Sequence, residues 1–127
     1  MLTGVDTGFF FALEDGHPLV VKVWKEREIA TSTVVLYELK KKLLQGHFDK
    51  WPKIIEDIRI STALVSVSPE TALRAGQLSH ELKMPGLDAL ILSSLLESGC
   101  HEIYTTDAHF ELYSGKKVKI INLEKIK

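Results

Sequence analysis

Short apolar runs alternate with helical patterns along this chain. Leu2 to Asp6 reads as a strand, and Phe9-Phe10-Phe11-Ala12-Leu13 as a short apolar helix after it. Pro18 opens a second helical stretch through Val20, Val21, Val23 and Trp24, in keeping with the first-turn preference of proline. Ile29 to Ser32 is a brief second strand. The pattern then predicts a helix from Val34 to Gln45, capped by Thr33 and ended by Gly46. Asp49 is the expected cap of the next helix, in which Ile54, Ile55 and Ile58 recur at helical spacing. Ala63 to Val67 is a third strand, and Ser68-Pro69 is a cap and first-turn proline for a helix to about Leu82. Met84-Pro85-Gly86 breaks the chain before an apolar helix from Leu87 to Ser98, ended by Gly99. Glu102 to Thr106 is a fourth strand, Ala108 to Tyr113 a helical turn, and Val118 to Leu123 a last strand.

Strands interleaved with helices imply an α/β fold, a parallel sheet with helices on both faces. A chain of 127 residues without repeats or a linker fits one domain over 1–127. Its apolar fraction of 45% and charged fraction of 26% are those of a globular protein. No run approaches the roughly 18 to 20 apolar residues of a membrane span. The start acquires an acid at Asp6 and lacks a basic leader, and Cys100 is alone, so a reducing cytoplasm is expected. The formal net charge of −1 removes bulk electrostatics as a means of gathering nucleic acid. A phosphate-bearing partner must then be held by local basic clusters or through bound cations.

Open parallel sheets bind ligands beyond the carboxyl ends of their strands, which singles out particular acids. Asp6 closes the first strand and Asp107 follows the fourth. Each has a plainer reading as a helix cap accepting backbone N–H bonds. Asp88 is more telling. At about 100° per residue it falls on the stripe of Ile91, Leu92, Leu95 and Leu96, opposite a polar strip of Ser93, Ser94, Glu97 and Ser98. A carboxylate on a core-facing stripe requires a cation, a metal or hydrogen bonds. Glu38 lies near Val34 and Val35 on its helix, yet Lys42 at i+4 offers an ordinary ion pair. Converging carboxylates raise each other's pKa unless a divalent cation neutralises them, and hard oxygen donors suit Mg²⁺ or Mn²⁺.

Four segments in this order, Val5-Asp6-Thr7, Thr33 to Leu39, Gly86 to Ile91 and Thr105 to Phe110, together resemble the PIN domain. By length and layout the likeness is to the VapC-type toxins of prokaryotic toxin–antitoxin pairs, over essentially the whole chain. The resemblance implies a three-layer α/β/α sandwich with a five-stranded parallel sheet and a Mg²⁺- or Mn²⁺-dependent ribonuclease site. The matching metal-binding positions are Asp6, Glu38, Asp88 and Asp107, with Thr106 orienting a metal water or Asp107. It further implies hydrolysis of RNA to a 3′-hydroxyl and a 5′-phosphate, a homodimer, and a cognate antitoxin whose tail enters the active-site groove. Ser93-Ser94 stands where such toxins often carry small apolar residues, and the Gly46 to Trp51 loop matches no motif.

Several features remain. Lys40-Lys41-Lys42 and Lys116-Lys117-Lys119 are either RNA grips or solvated faces. Phe9, Phe10, Phe11 and Trp24 are either a groove for an antitoxin or dimer partner, or core. The five histidines lack metal spacing, and His109 is expected in a surface or capping role despite its place beside Asp107. Cys100 is expected to be inert. Two rival functions are a phosphoacceptor receiver domain, which expects an acid pair after the first strand and an acceptor Asp after the third, and a PIN-like module that binds without turnover.

Overall fold

The computed structural model describes residues 2–115 and 117–126, so Lys116 of the second basic run lies outside the described residues. Five parallel strands, β1 (Leu2–Val5), β2 (Glu28–Ser32), β3 (Thr62–Val65), β4 (Glu102–Thr105) and β5 (Lys119–Asn122), form one sheet in the order β3-β2-β1-β4-β5. Between them lie α1 (Thr7–Glu14), α2 (Pro18–Glu26), α3 (Thr33–Leu44), α4 (Ile54–Ser61), α5 (Pro69–Leu82) and α6 (Gly86–Glu97). Two 3-10 turns, Ala108–Leu112 and Leu123–Lys125, follow β4 and β5. This is the α/β architecture expected from the sequence, with five parallel strands in one sheet. Its strand order differs from the 2-1-3-4-5 of flavodoxin-like receivers, and β3 ends without an acid, so the receiver reading falls.

The direction of each crossover assigns the helices to faces. β1 to β2 and β2 to β3 both run toward one edge, whereas β3 to β4 returns across the sheet. Right-handed crossovers then put α1 to α4 on one face and α5 with α6 on the other. Accordingly α6 packs on β2 and β3, while α5 packs on α6. Gly4 of β1 is what lets α6 close on the sheet. A Cβ there would lie 3.0 Å from the Cys100 sulfur and 3.2 Å from Leu95.

Local chemistry departs from expectation at several ends. Ser32, not Thr33, caps α3, its hydroxyl accepting from the Val34 N–H at 3.1 Å. Asp49 caps nothing, because α4 starts only at Ile54, after Lys53, without a side-chain cap. β3 ends at Val65, and Ser66 and Val67 are exposed connection. Ser68 does cap α5, with Pro69 in its first turn.

The core corrects two readings of side-chain direction. Phe9 and Phe10 are fully buried, edge to face at 5.5 Å, so neither lines an open groove. Trp24 stays partly exposed, packed against Phe10 and Trp51. Ser93 and Ser94 form no exposed strip: both are fully buried. Helix α6 is covered on two sides, and its serines turn their hydroxyls onto carbonyls, Ser93 to Thr71 and Ser94 to Leu90, each at 2.8 Å. Ser32 adds a bond to the Ser94 hydroxyl at 3.0 Å. Buried hydroxyls satisfied in this way are tolerated in a core. Among the described residues no helix is long and apolar enough to cross a membrane.

Candidate metal centre

The sheet order reverses direction between β1 and β4, and the crevice at their carboxyl ends is where such folds place ligands. Asp6 stands one residue beyond β1 and caps α1, its Oδ1 accepting from the Phe9 N–H at 3.2 Å. Its Oδ2 accepts from the Thr105 hydroxyl, at the end of β4, at 2.5 Å. Asp107 begins the 3-10 turn after β4, its Oδ1 accepting from the His109 N–H at 2.9 Å. Asp88 comes from the first turn of α6, on the other face, and Glu38 from α3. All four acids line one cavity of about 120 Å³, together with Thr7, Gly8, Ile91 and Thr106.

Glu38 turns inward rather than toward Lys42. Its Oε1 accepts from the Thr7 hydroxyl at 2.5 Å, and no Lys42 ion pair occurs among the described residues. Thr106 lines the cavity and packs against Gly8, where a Cβ would collide with its hydroxyl. The hydroxyl that orients the acids, however, is that of Thr105. It donates to Asp6 and accepts from the Asp107 N–H at 2.9 Å. Strand alternation carries no signal that separates Thr105 from Thr106, because β4 is buried on both faces.

His109 was placed at the surface from sequence, and half of its side chain is indeed exposed. Its Nδ1 nevertheless sits 2.8 Å from Asp107 and 3.3 Å from Asp88. The turn made by Asp107 around the His109 N–H folds the ring back on the same carboxylate, so the spacing Asp-Ala-His was the available signal. Single ligand atoms of Asp88, Asp107 and His109 all fall within 4.8 Å of one another.

The electrostatics match the crowding. Burial pushes the Asp6 carboxyl up to about 7, the Thr105 and Phe9 hydrogen bonds opposing it and the Asp107 and Asp88 charges adding to it. Asp88 is pushed up to about 6, first by desolvation, then by its hydrogen bond and charge repulsion with Asp107, with His109 pulling the other way and Glu38 adding to the rise. Carboxyls held in this state ionise when a divalent cation arrives. The cavity is far smaller than the roughly 300 to 1,000 Å³ of an organic-ligand site. Oxygen donors with one imidazole therefore fit a hard ion such as Mg²⁺ or Mn²⁺.

A PIN domain model matches residues 4–116. The chain belongs to the PIN domain family. No curated protein sequence matches it. Among solved structures, VapBC2 from Rickettsia felis, bound to a DNA fragment from its promoter, aligns with a TM-score of 0.72 at 20% identity, over 96% of this chain and 98% of that one. VapC20 of Mycobacterium tuberculosis, a toxin that cleaves the sarcin-ricin loop, gives 0.71 at 20% identity, over 92% and 98%. VapBC-1 of nontypeable Haemophilus influenzae gives 0.74 at 15% identity, over 98% and 100%. At these identities the likeness concerns the fold, and this PIN domain is VapC-like in shape from end to end.

Proposed function

We propose that this PIN domain is a Mg²⁺- or Mn²⁺-dependent endoribonuclease, the toxin of a VapBC-type pair. The observation that carries the reading is the convergence of Asp6, Glu38, Asp88 and Asp107, from four separate elements, on one small cavity. Membership of the PIN family, typically metal-dependent nucleases, supports it.

Asp6, Glu38 and Asp88 would hold the ion, with Asp107 completing the set directly or through water. Bound there, the ion would supply a water of lowered pKa and positive charge to offset that developing on the phosphoryl group. The chain's own residues supply position. Thr105 and the Phe9 N–H fix both oxygens of Asp6, and Thr7 fixes Glu38. His109 holds Asp88 and Asp107 together at the open side. Such pre-set donors limit the reorganisation that substrate binding demands. A divalent ion also inverts the local field, so a chain of net charge −1 can receive a polyanion.

The same reading makes the partner an antitoxin protein, the active form a homodimer and the compartment the cytoplasm. Several of the similar structures are toxin–antitoxin complexes, which supports the first of these.

Incubation of purified protein with single-stranded RNA and Mn²⁺ or Mg²⁺ tests the activity. Cleavage is expected with the metal, none with a chelator, and none from Asp6→Asn at unchanged circular dichroism. Full activity in folded Asp6→Asn overturns the reading. Mn²⁺ binding without any cleavage would leave the binding-only PIN module as the better description.

A further inference from the structure

A second and larger cavity shares a wall with the acidic one. It is about 550 Å³ and is lined by Phe11, Ala12, Asp15, Gly16, His17 and Pro18, with Glu124, Gly8 and Thr106. Gly8 and Thr106 also line the acidic cavity. The two cavities therefore border each other across the contact between these residues. The volume is within the roughly 300 to 1,000 Å³ range of small-molecule sites.

The lining says which part of a nucleotide fits. Among the described residues no lysine or arginine lines it, and two carboxylates do, which disfavours a phosphate. Phe11 supplies a ring, held from behind by Phe48 at 4.5 Å and His47 at 5.7 Å between centroids. Unstacked RNA bases are commonly received on such rings.

We propose that this cavity receives the base next to the scissile phosphate and favours guanine. The proposal rests on the ribonuclease reading for the meaning of "next to". Ionised Asp15 and Glu124 can only accept hydrogen bonds. Guanine offers two adjacent donors, N1–H and N2–H₂, matched to one carboxylate. Adenine and cytosine each set a single amino donor beside a ring-nitrogen acceptor, and uracil flanks its one N–H with two carbonyls. A carboxylate repels those acceptors.

Titration of the ¹⁵N-labelled full chain with guanosine, adenosine, cytidine and uridine tests base recognition without turnover. Guanosine should move the amide signals of Gly8, Gly16 and His17, and uridine should leave them in place. The double variant Asp15→Asn/Glu124→Gln should weaken guanosine binding by about tenfold or more, in line with the loss of a bidentate pair. Both replaced residues are exposed, so the fold should survive. Silence from all four nucleosides, or equal shifts from all, overturns the proposal whether or not RNA is cut. Cleavage sites on a mixed-sequence RNA should be enriched in an adjoining guanosine, and cleavage with no such enrichment overturns the subsite alone. Guanosine binding by a protein that cuts no RNA overturns the ribonuclease reading and, with it, the placement beside a scissile phosphate.

Discussion

The Thr105 hydroxyl donates to Oδ2 of Asp6 at 2.5 Å, across a separation of 99 residues. The Thr105 hydroxyl oxygen in turn accepts from the Asp107 N–H at 2.9 Å. One side chain at the end of β4 thus fixes two of the acids, and it opposes the rise in the Asp6 pKa that burial causes. Thr105→Val keeps the shape and removes the donor. The Asp6 carboxyl should then hold its proton to higher pH, and the midpoint of Mn²⁺ binding should move upward in pH. Calorimetric Mn²⁺ titrations at several pH values check this. A stability loss of about 1 to 3 kcal/mol is expected from the buried groups left unpaired.

Stability of the metal-free protein should fall as pH rises through the weakly acidic range. Asp6 and Asp88 have folded-state pKa values of about 7 and about 6, above the ordinary 3.8. Between those values the folded state binds more protons than the unfolded one, so increasing pH favours unfolding. For Asp6 the full effect is on the order of a few kcal/mol, present below pH 4 and lost by about pH 7. Added Mg²⁺ or Mn²⁺ should raise Tm more at pH 8 than at pH 5. Thermal scans with and without metal at both values test the sign, and a larger metal effect at pH 5 would contradict it.

His109→Ala should weaken Mn²⁺ binding by about 10- to 100-fold, the range seen when groups supporting a metal site are removed. The imidazole faces Asp88 and Asp107, and its charge opposes the rise in the Asp88 pKa. Equal affinity in variant and parent would place the ring outside the metal's reach.

Gly8→Ala should destabilise the chain by about 1 to 3 kcal/mol, because the added methyl meets the Thr106 hydroxyl with no space between them. That contact is also part of the site wall. Loss of RNA cleavage should accordingly exceed what the shift in urea midpoint explains. Unchanged stability would show that Thr106 can step aside.

The order of strands and helices was legible because short runs buried on both faces of a parallel sheet alternate with longer helical patterns bounded by caps, prolines and glycines. Asp6 and Asp107 were legible for a related reason: residues that end parallel strands share one edge of the sheet. Asp88 announced itself by standing on an apolar stripe. Element ends were less legible, since Ser32 and Thr33 are both good caps and only the path of β2 chose between them.

The chain by itself therefore determined a parallel α/β fold and the acids available to its crevice. Only the tertiary structure decided how their side chains are held. Glu38 has Lys42 within reach on its own helix yet takes Thr7 of α1, and the half-exposed His109 reaches Asp88 of α6. It also decided that Ser93 and Ser94 are core, because α5 covers Ser93 and the end of β2 meets Ser94. Periodicity reports on one element and its nearest face, whereas these choices depend on contacts between elements remote along the chain.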